Sequence, residues 1–313
     1  MLFRSIRYPY GCLEQTTSRV FPLLYMKELL DVAEGKNASD AQKEKKAASF
    51  ILAGIGRLSM MQTTSGGLGM WPGNNTPYPW GSAYAGHFLV EARKAGYPVP
   101  ELLLEKTLDY LKSVLFRGHS GTQDREVQVY AAYVLACAGK ISLADISHLS
   151  LEKASMTERC FIAATHGLLG KREMARDAFS KGARPATGEP ETGGNLHSPV
   201  RDEAIYLSVL MDIQPEHSDV SQCVAGLLSS SFEGRWGNTQ ENAYALMALG
   251  KYFARVKKEM ATQWSGTVRE QGQAILSFDE GKPLSLVLER NQDVSLELDT
   301  QGHGHLFYRF VSK

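Results

Sequence analysis

The chain has 313 residues, with 34 lysines and arginines against 34 aspartates and glutamates, so its formal net charge is zero. Interspersed, balanced charge gives no footprint for nucleic acid or an anionic membrane surface. No run of about 18 apolar residues offers a transmembrane helix.

The first residues, Met1-Leu-Phe-Arg-Ser-Ile-Arg7, are too short and too charged for a signal peptide and read as a chain cut from something longer. Next comes Tyr8-Pro-Tyr-Gly-Cys-Leu-Glu-Gln15, continued by Thr16-Thr-Ser-Arg-Val-Phe21. A Pro- and Gly-containing turn leads into an apolar-periodic segment, which predicts a helix opening at Cys12. Gln15 then sits one turn on, on the same face, with Cβ atoms roughly 5–6 Å apart. At that distance the Cys12 sulfur can attack the Gln15 γ-carbonyl, expelling ammonia and leaving an internal thioester. A helix N-terminus favours the thiolate that such a step needs. Thr16, Thr17 and Ser18 suit a first turn, and Glu14 is expected to face solvent or act as a dipole partner. A thioester open to water would hydrolyse, so Tyr8 and Tyr10 are candidate covers.

From Thr16 to about Ala261 the pattern is helical. Five small-residue-rich segments look alike: 80–89, 126–135, 159–168, 202–210 and 240–249. They recur at roughly 35–45 residues, the period of a helical-hairpin repeat. Second helices such as Leu102–Phe116 and Lys171–Lys181 lie between them. With the thioester segment, about six hairpins fit, and they can close into a ring or form an open solenoid. The loop Gly66-Gly-Leu-Gly-Met-Trp71 and its continuation to Trp80 place Met70, Trp71, Tyr78 and Trp80 either as packing at the ends of such a ring or as a roof for the thioester.

Four cysteines, Cys12, Cys137, Cys160 and Cys223, show no CxxC pair and no metal-ligand spacing. With Cys12 set aside, the odd remainder argues against a disulfide framework, and Cys137 reads as a buried free thiol. After Trp264 the periodicity changes to alternation, with strands expected at 273–278, 284–288, 294–298 and 306–310.

Gly11-Cys12-Leu13-Glu14-Gln15 resembles the thioester motif of the α2-macroglobulin and complement superfamily. Leu13, the leading Tyr-Pro-Tyr and the trailing Thr-Thr-Ser-Arg look like the bacterial α2-macroglobulins, whereas animal members usually carry Gly at the Leu13 place. The resemblance covers nearly the whole chain. It implies a mainly α fold: an α/α toroid of about six hairpins, terpenoid-cyclase-like, over residues 1–262. Residues 263–313 would be the incomplete returning half of a CUB-like β-domain, with residues 1 to about 7 ending the outgoing half.

The implied function is that of a broad-spectrum endopeptidase inhibitor. After bait-region cleavage in the parent protein, lysine amines of the attacking protease open the Cys12–Gln15 thioester. Other domains of the parent cover the bond beforehand. The implied parent is periplasmic, often a lipoprotein at the inner membrane. No cofactor or metal is implied beyond the thioester.

In some complement proteins a loop histidine captures the acyl group. His119 lies in the right neighbourhood without matching that pattern, and an exposed loop histidine is the plainer reading. The alternatives are a surface-tagging module acting through the same bond and a toroid-fold enzyme. Against an enzyme, the chain has no Asp-rich cyclase motif. Neither Cys160 with His166 nor His197 with Asp202 has zinc-site spacing, and the adjacent Asp202 and Glu203 point to different helix faces.

Overall fold

The computed structural model describes residues 9–25, 38–117, 122–180, 196–232, 234–259, 265–279 and 294–301. The helices are α1 (Leu13–Val20), α2 (Ala38–Met61), α3 (Pro79–Lys94), α4 (Glu101–Leu115) and α5 (Thr122–Cys137), then α6 (Met156–Leu168), α7 (Arg172–Ser180), α8 (Pro199–Ile213), α9 (Asp219–Ser229) and α10 (Thr239–Glu259). A 3₁₀ turn, Phe21–Tyr25, follows α1 directly. The five look-alike segments fall in α3, α5, α6, α8 and α10, and the expected second helices are α4 and α7. No helix among the described residues is long and apolar enough to cross a membrane.

Local chemistry sets where these helices begin. Pro79 opens α3 at a position where its missing N–H would have had no helical partner. At α6 the Ser155 hydroxyl accepts from the Glu158 amide at 3.2 Å, and the Ser155 amide donates to the Glu158 carboxylate at 2.8 Å, a reciprocal capping box. Asn238 and Glu241 repeat that exchange at the head of α10, at 2.9 and 3.3 Å. Ser198 caps α8 by accepting from the Arg201 amide, with Pro199 behind it.

Small buried residues then let the helices approach closely: Ala83 and Ala85, Ala131 and Ala132, Ala163 and Ala164, Ala243 and Ala245. α1 packs on α3, α3 on α5, α5 on α6, α6 on α8, α8 on α10, and α10 returns to α1. Aromatic rings fill the space between them. Tyr84 stacks on Tyr244 at 5.5 Å, Tyr130 stacks on Phe161 at 4.5 Å, and the Tyr130 and Tyr244 hydroxyls meet at 3.2 Å. Phe21 packs edge-on against His87 at 4.8 Å and Phe88 at 5.7 Å.

The C-terminal sheet has the order β2-β1-β3, all antiparallel, with β1 Ser265–Glu270, β2 Gln273–Asp279 and β3 Leu296–Gln301. β2 agrees with the expected strand at 273–278, and β3 starts two residues later than the expected 294–298. β1 was not expected at all. Its run Ser-Gly-Thr-Val-Arg-Glu lacks apolar alternation, and the turn that pairs it with β2, Gln271-Gly272, reaches positive φ (+52° and +80°) without the usual Asn-Gly or Asp-Gly signature. The other expected strands, 284–288 and 306–310, lie outside the described residues, as do residues 1 to 7.

Phe21→Ala is expected to cost about 3–5 kcal/mol, because a fully buried ring joining α1 to α3 leaves a cavity. Urea denaturation of the two proteins side by side measures it.

Candidate functional site

The site forms on the first turn of α1. Gly11 has φ +129°, a conformation that favours glycine, and a Cβ placed on it would lie 2.4 Å from Gln15 Oε1 and 2.8 Å from Gln15 Cβ. The glutamine side chain is therefore folded back over the glycine. The Cys12 amide donates to Gln15 Oε1 at 3.4 Å, the backward half of a capping box, with Cys12 at the N-cap and Gln15 three residues on. Both residues are half-buried. The oxygen of the carboxamide that a Cys12 sulfur would attack is thus held by an N–H at the positive end of a helix, where negative charge developing on that oxygen is stabilised.

The surroundings fix this turn from several sides. Arg57, on α2, donates from Nε and Nη2 to the Gly11 carbonyl at 3.2 and 2.7 Å. Arg19 donates to the Tyr10 carbonyl. The Leu13 amide donates to the Met70 carbonyl at 2.9 Å, tying the head of α1 to the 66–80 loop. Leu13 and Tyr78 both press on Gly81, where an added Cβ would meet them at 2.7 and 2.5 Å. Burial pushes the Tyr78 phenol up to about 12, against the pull of Arg201, with Glu14, Cys12 and Glu126 adding to the rise.

Glu14 corrects the expectation of a solvent-facing side chain. It is 8% exposed, and its Oε1 accepts from Ser18 at 2.7 Å, Thr239 at 2.8 Å and Gln240 at 2.8 Å. Its donors come from α1 and from the head of α10, which leaves the acid no face toward solvent.

Beyond it lies a second buried cluster. Arg201 is 0% exposed, with its guanidinium over the Trp80 ring at 5.2 Å and over the Tyr244 ring at 5.4 Å. It pairs with Glu126 at 3.3 Å. His197 bonds Glu126 through Nε2 at 2.7 Å and faces Asp202 through Nδ1 at 3.5 Å. Thr157 donates to Asp202 at 3.1 Å, and Arg125 meets Glu158 at 3.8 Å. These links join the heads of α1, α3, α5, α6, α8 and α10 at one end of the helical body.

The proposed covers take different places. Trp80 is 1% exposed and packs among Tyr78, Tyr84 and Tyr130 in the core. Tyr10 and Trp71 are 65% and 49% exposed. Met70 is half-buried and adjoins the site through its carbonyl. Tyr8 and His119 lie outside the described residues. None of the four cysteines is paired in a disulfide. His197 and Asp202 do come together, but around Glu126 and Arg201. Sequence reading missed Arg57, Arg201, Glu126 and Gln240, whose partners lie tens to hundreds of residues away and leave no local signal.

A cysteine and a glutamine folded onto the head of the first of several mutually packed helices are the features of a thioester-containing domain. The chain matches the family described as the A-macroglobulin TED domain over residues 3–157. It is 29% identical to the α2-macroglobulin of Escherichia coli strain K12, covering 96% of this chain and 18% of that protein. It is 26% identical to that of Xylella fastidiosa strain Temecula1, covering 89% and 16%. Among solved structures it is similar to Salmonella α2-macroglobulin reacted with methylamine, with a TM-score of 0.69 and 25% identity over 96% of this chain and 19% of that one. The chain belongs to the bacterial α2-macroglobulin family and spans less than a fifth of the length of these relatives.

Two outcomes follow from this geometry. Gly11→Ala is expected to displace the Gln15 side chain and cut amine incorporation at least about tenfold, since even a misplacement of the order of 1 Å costs about that much or more; labelling with a radioactive amine reads it. Hydrogen bonds to Asp202 and Glu126 raise the His197 imidazole to about 10, with burial opposing. Its stabilisation is fully present below about pH 6.5 and is lost as pH rises through about 10. His197→Gln should therefore lower the urea midpoint more near pH 6 than near pH 10.

Proposed function

We propose that Cys12 and Gln15 form an internal thioester and that this chain is the thioester domain of a covalent protease trap. The observation that carries the reading is the Gln15 side chain folded over Gly11 and held by the Cys12 amide, in a chain of this family. Sulfur attacks Gln15 Cδ and ammonia leaves. After cleavage of the parent protein a lysine amine of the protease attacks the same carbonyl, an isopeptide bond forms, and the Cys12 thiol is released. Each molecule acts once, so the protein is an inhibitor and not an enzyme.

In this reading the mutually packed α1, α3, α5, α6, α8 and α10 are the inner layer of an α/α toroid over residues 1–262, with α2, α4, α7 and α9 outside. Residues 263–313 are the returning half of a CUB-like domain. Tyr8, Tyr10, Met70 and Trp71, together with another domain of the parent, keep water from the bond. The parent acts in the periplasm, anchored at the inner membrane.

Intact mass with and without methylamine tests the reading, alongside a thiol count under denaturing conditions. The protein should be lighter by one ammonia, gain one methylamine and expose one new thiol, and Cys12→Ala should abolish all three changes. An unmodified mass and an unreactive Gln15 in the full-length parent would sink the proposal. Transfer to hydroxyl acceptors in preference to amines would support a surface-tagging module instead.

A further inference from the structure

The geometry points to a transition-metal site of the zinc type, formed by His87, Glu91 and Cys137 at the end of the helical body opposite the thioester motif. A ring nitrogen of His87, a carboxylate oxygen of Glu91 and the Cys137 sulfur all lie within 4.8 Å of one another, and all three residues are half-buried. His87 and Glu91 stand one turn apart on α3, on one face, and Cys137 ends the neighbouring α5. Imidazole, carboxylate and thiolate are the donor types that zinc takes. In a tetrahedral centre such atoms sit about 3.5 Å apart, as the Zn–N and Zn–S lengths require, so side-chain rotation closes the set. The inference is independent of the thioester reading.

Three further observations agree. The cluster lines a cavity of about 740 Å³ bordered by Tyr25, Phe161, Ile213 and Lys251, which leaves room for a water at a fourth position. The cavity lies among the C-terminal halves of α3, α5, α6, α8 and α10, where backbone carbonyls carry the negative end of each helix dipole and favour a cation. His87 is also supported from behind. The Tyr130 hydroxyl holds its Nδ1 at 3.1 Å, which leaves Nε2 for a metal, the arrangement that orients a ligating histidine.

Lys94, Arg172, Arg176, Lys251 and Arg255 line the cavity, and four of these five have acid partners. Lys251 pairs with Asp212 at 2.7 Å and Arg255 with Glu216 at 2.9 Å. Arg176 pairs with Glu173 at 3.2 Å, and Lys94 holds Glu91 Oε1 at 2.8 Å. Burial pushes the Cys137 thiol up to about 11, with Glu91 adding to the rise and Lys94, Tyr133 and Lys251 opposing it. Binding therefore displaces the thiol proton to solvent as the metal–sulfur bond forms.

The test titrates zinc chloride into the Cys12→Ala chain against a chromogenic chelator, which removes the other half-exposed thiol. One equivalent is expected, with Cys137→Ala weakening it more than about 100-fold and Tyr130→Phe about 10–100-fold, as removal of a supporting partner does. Circular dichroism and the urea midpoint of each metal-free variant establish that it folds. Cobalt(II) substitution in the Cys12→Ala chain gives a second readout that needs no ligand variant, through an expected thiolate-to-metal charge-transfer band. Zinc affinity unchanged by Cys137→Ala, or a cobalt spectrum without that band, would overturn the assignment.

Discussion

Glu14 is where the two ends of the helical chain meet. Its Oε1 collects hydrogen bonds from Ser18 in its own helix and from Thr239 and Gln240, more than two hundred residues away, and Gln240 also donates to the Ser18 hydroxyl at 2.9 Å. Burying a carboxylate is costly unless its lone pairs are satisfied. Here the donors that satisfy it are the ones that bring α10 onto α1. The same acid follows directly on the Cys12-Leu13 step, so the contact that closes the helical succession also fixes the first turn bearing Cys12 and Gln15.

That arrangement gives the molecule two electrically distinct ends. The heads of α1, α3, α5, α6, α8 and α10 converge, and their unpaired N–H groups make a positive field. Glu14, Glu126, Glu158, Asp202 and Glu241 lie in or near the first turns and answer it, while buried Arg201 pairs with Glu126, half-buried His197 sits between Glu126 and Asp202, and Arg125 meets Glu158. At the other end the carbonyl termini look into a cavity with Lys94, Lys251 and Arg255 at its edge. The Cys12–Gln15 pair sits where an oxygen gaining charge is favoured. The His87–Glu91–Cys137 trio sits beside those carbonyl termini, with the cations around it.

Much of this was legible in the sequence, and the illegible parts share a cause. Cys12 and Gln15 are three residues apart, and the glycine that lets one fold onto the other adjoins them, so local spacing was enough. The helices α3, α5, α6, α8 and α10 announced themselves through Ala- and Tyr-rich repeats because close helix approach needs small residues at regular intervals. Glu14 was misjudged because its partners belong to α10, and Arg57 was missed because it serves a carbonyl 46 residues away. Cys137 and His87 had no ligand spacing because helix packing, not chain proximity, joins them. β1 escaped because most of its residues are polar and its turn is atypical.

The Arg57 clasp on the Gly11 carbonyl has a mechanical consequence. The turn that carries the cysteine is gripped by α2 through that carbonyl, by the 66–80 loop through the Leu13 amide, and by α10 through Glu14. None of these grips uses the atoms of the Cys12 sulfur or the Gln15 carbonyl carbon. A large object tethered at Gln15 would therefore pull on a turn clamped from three directions, loading the fasteners in shear together and not peeling a helix end one bond at a time. Such an attachment point would behave as an anchor plate, its holding strength shared by the elements that grip the turn.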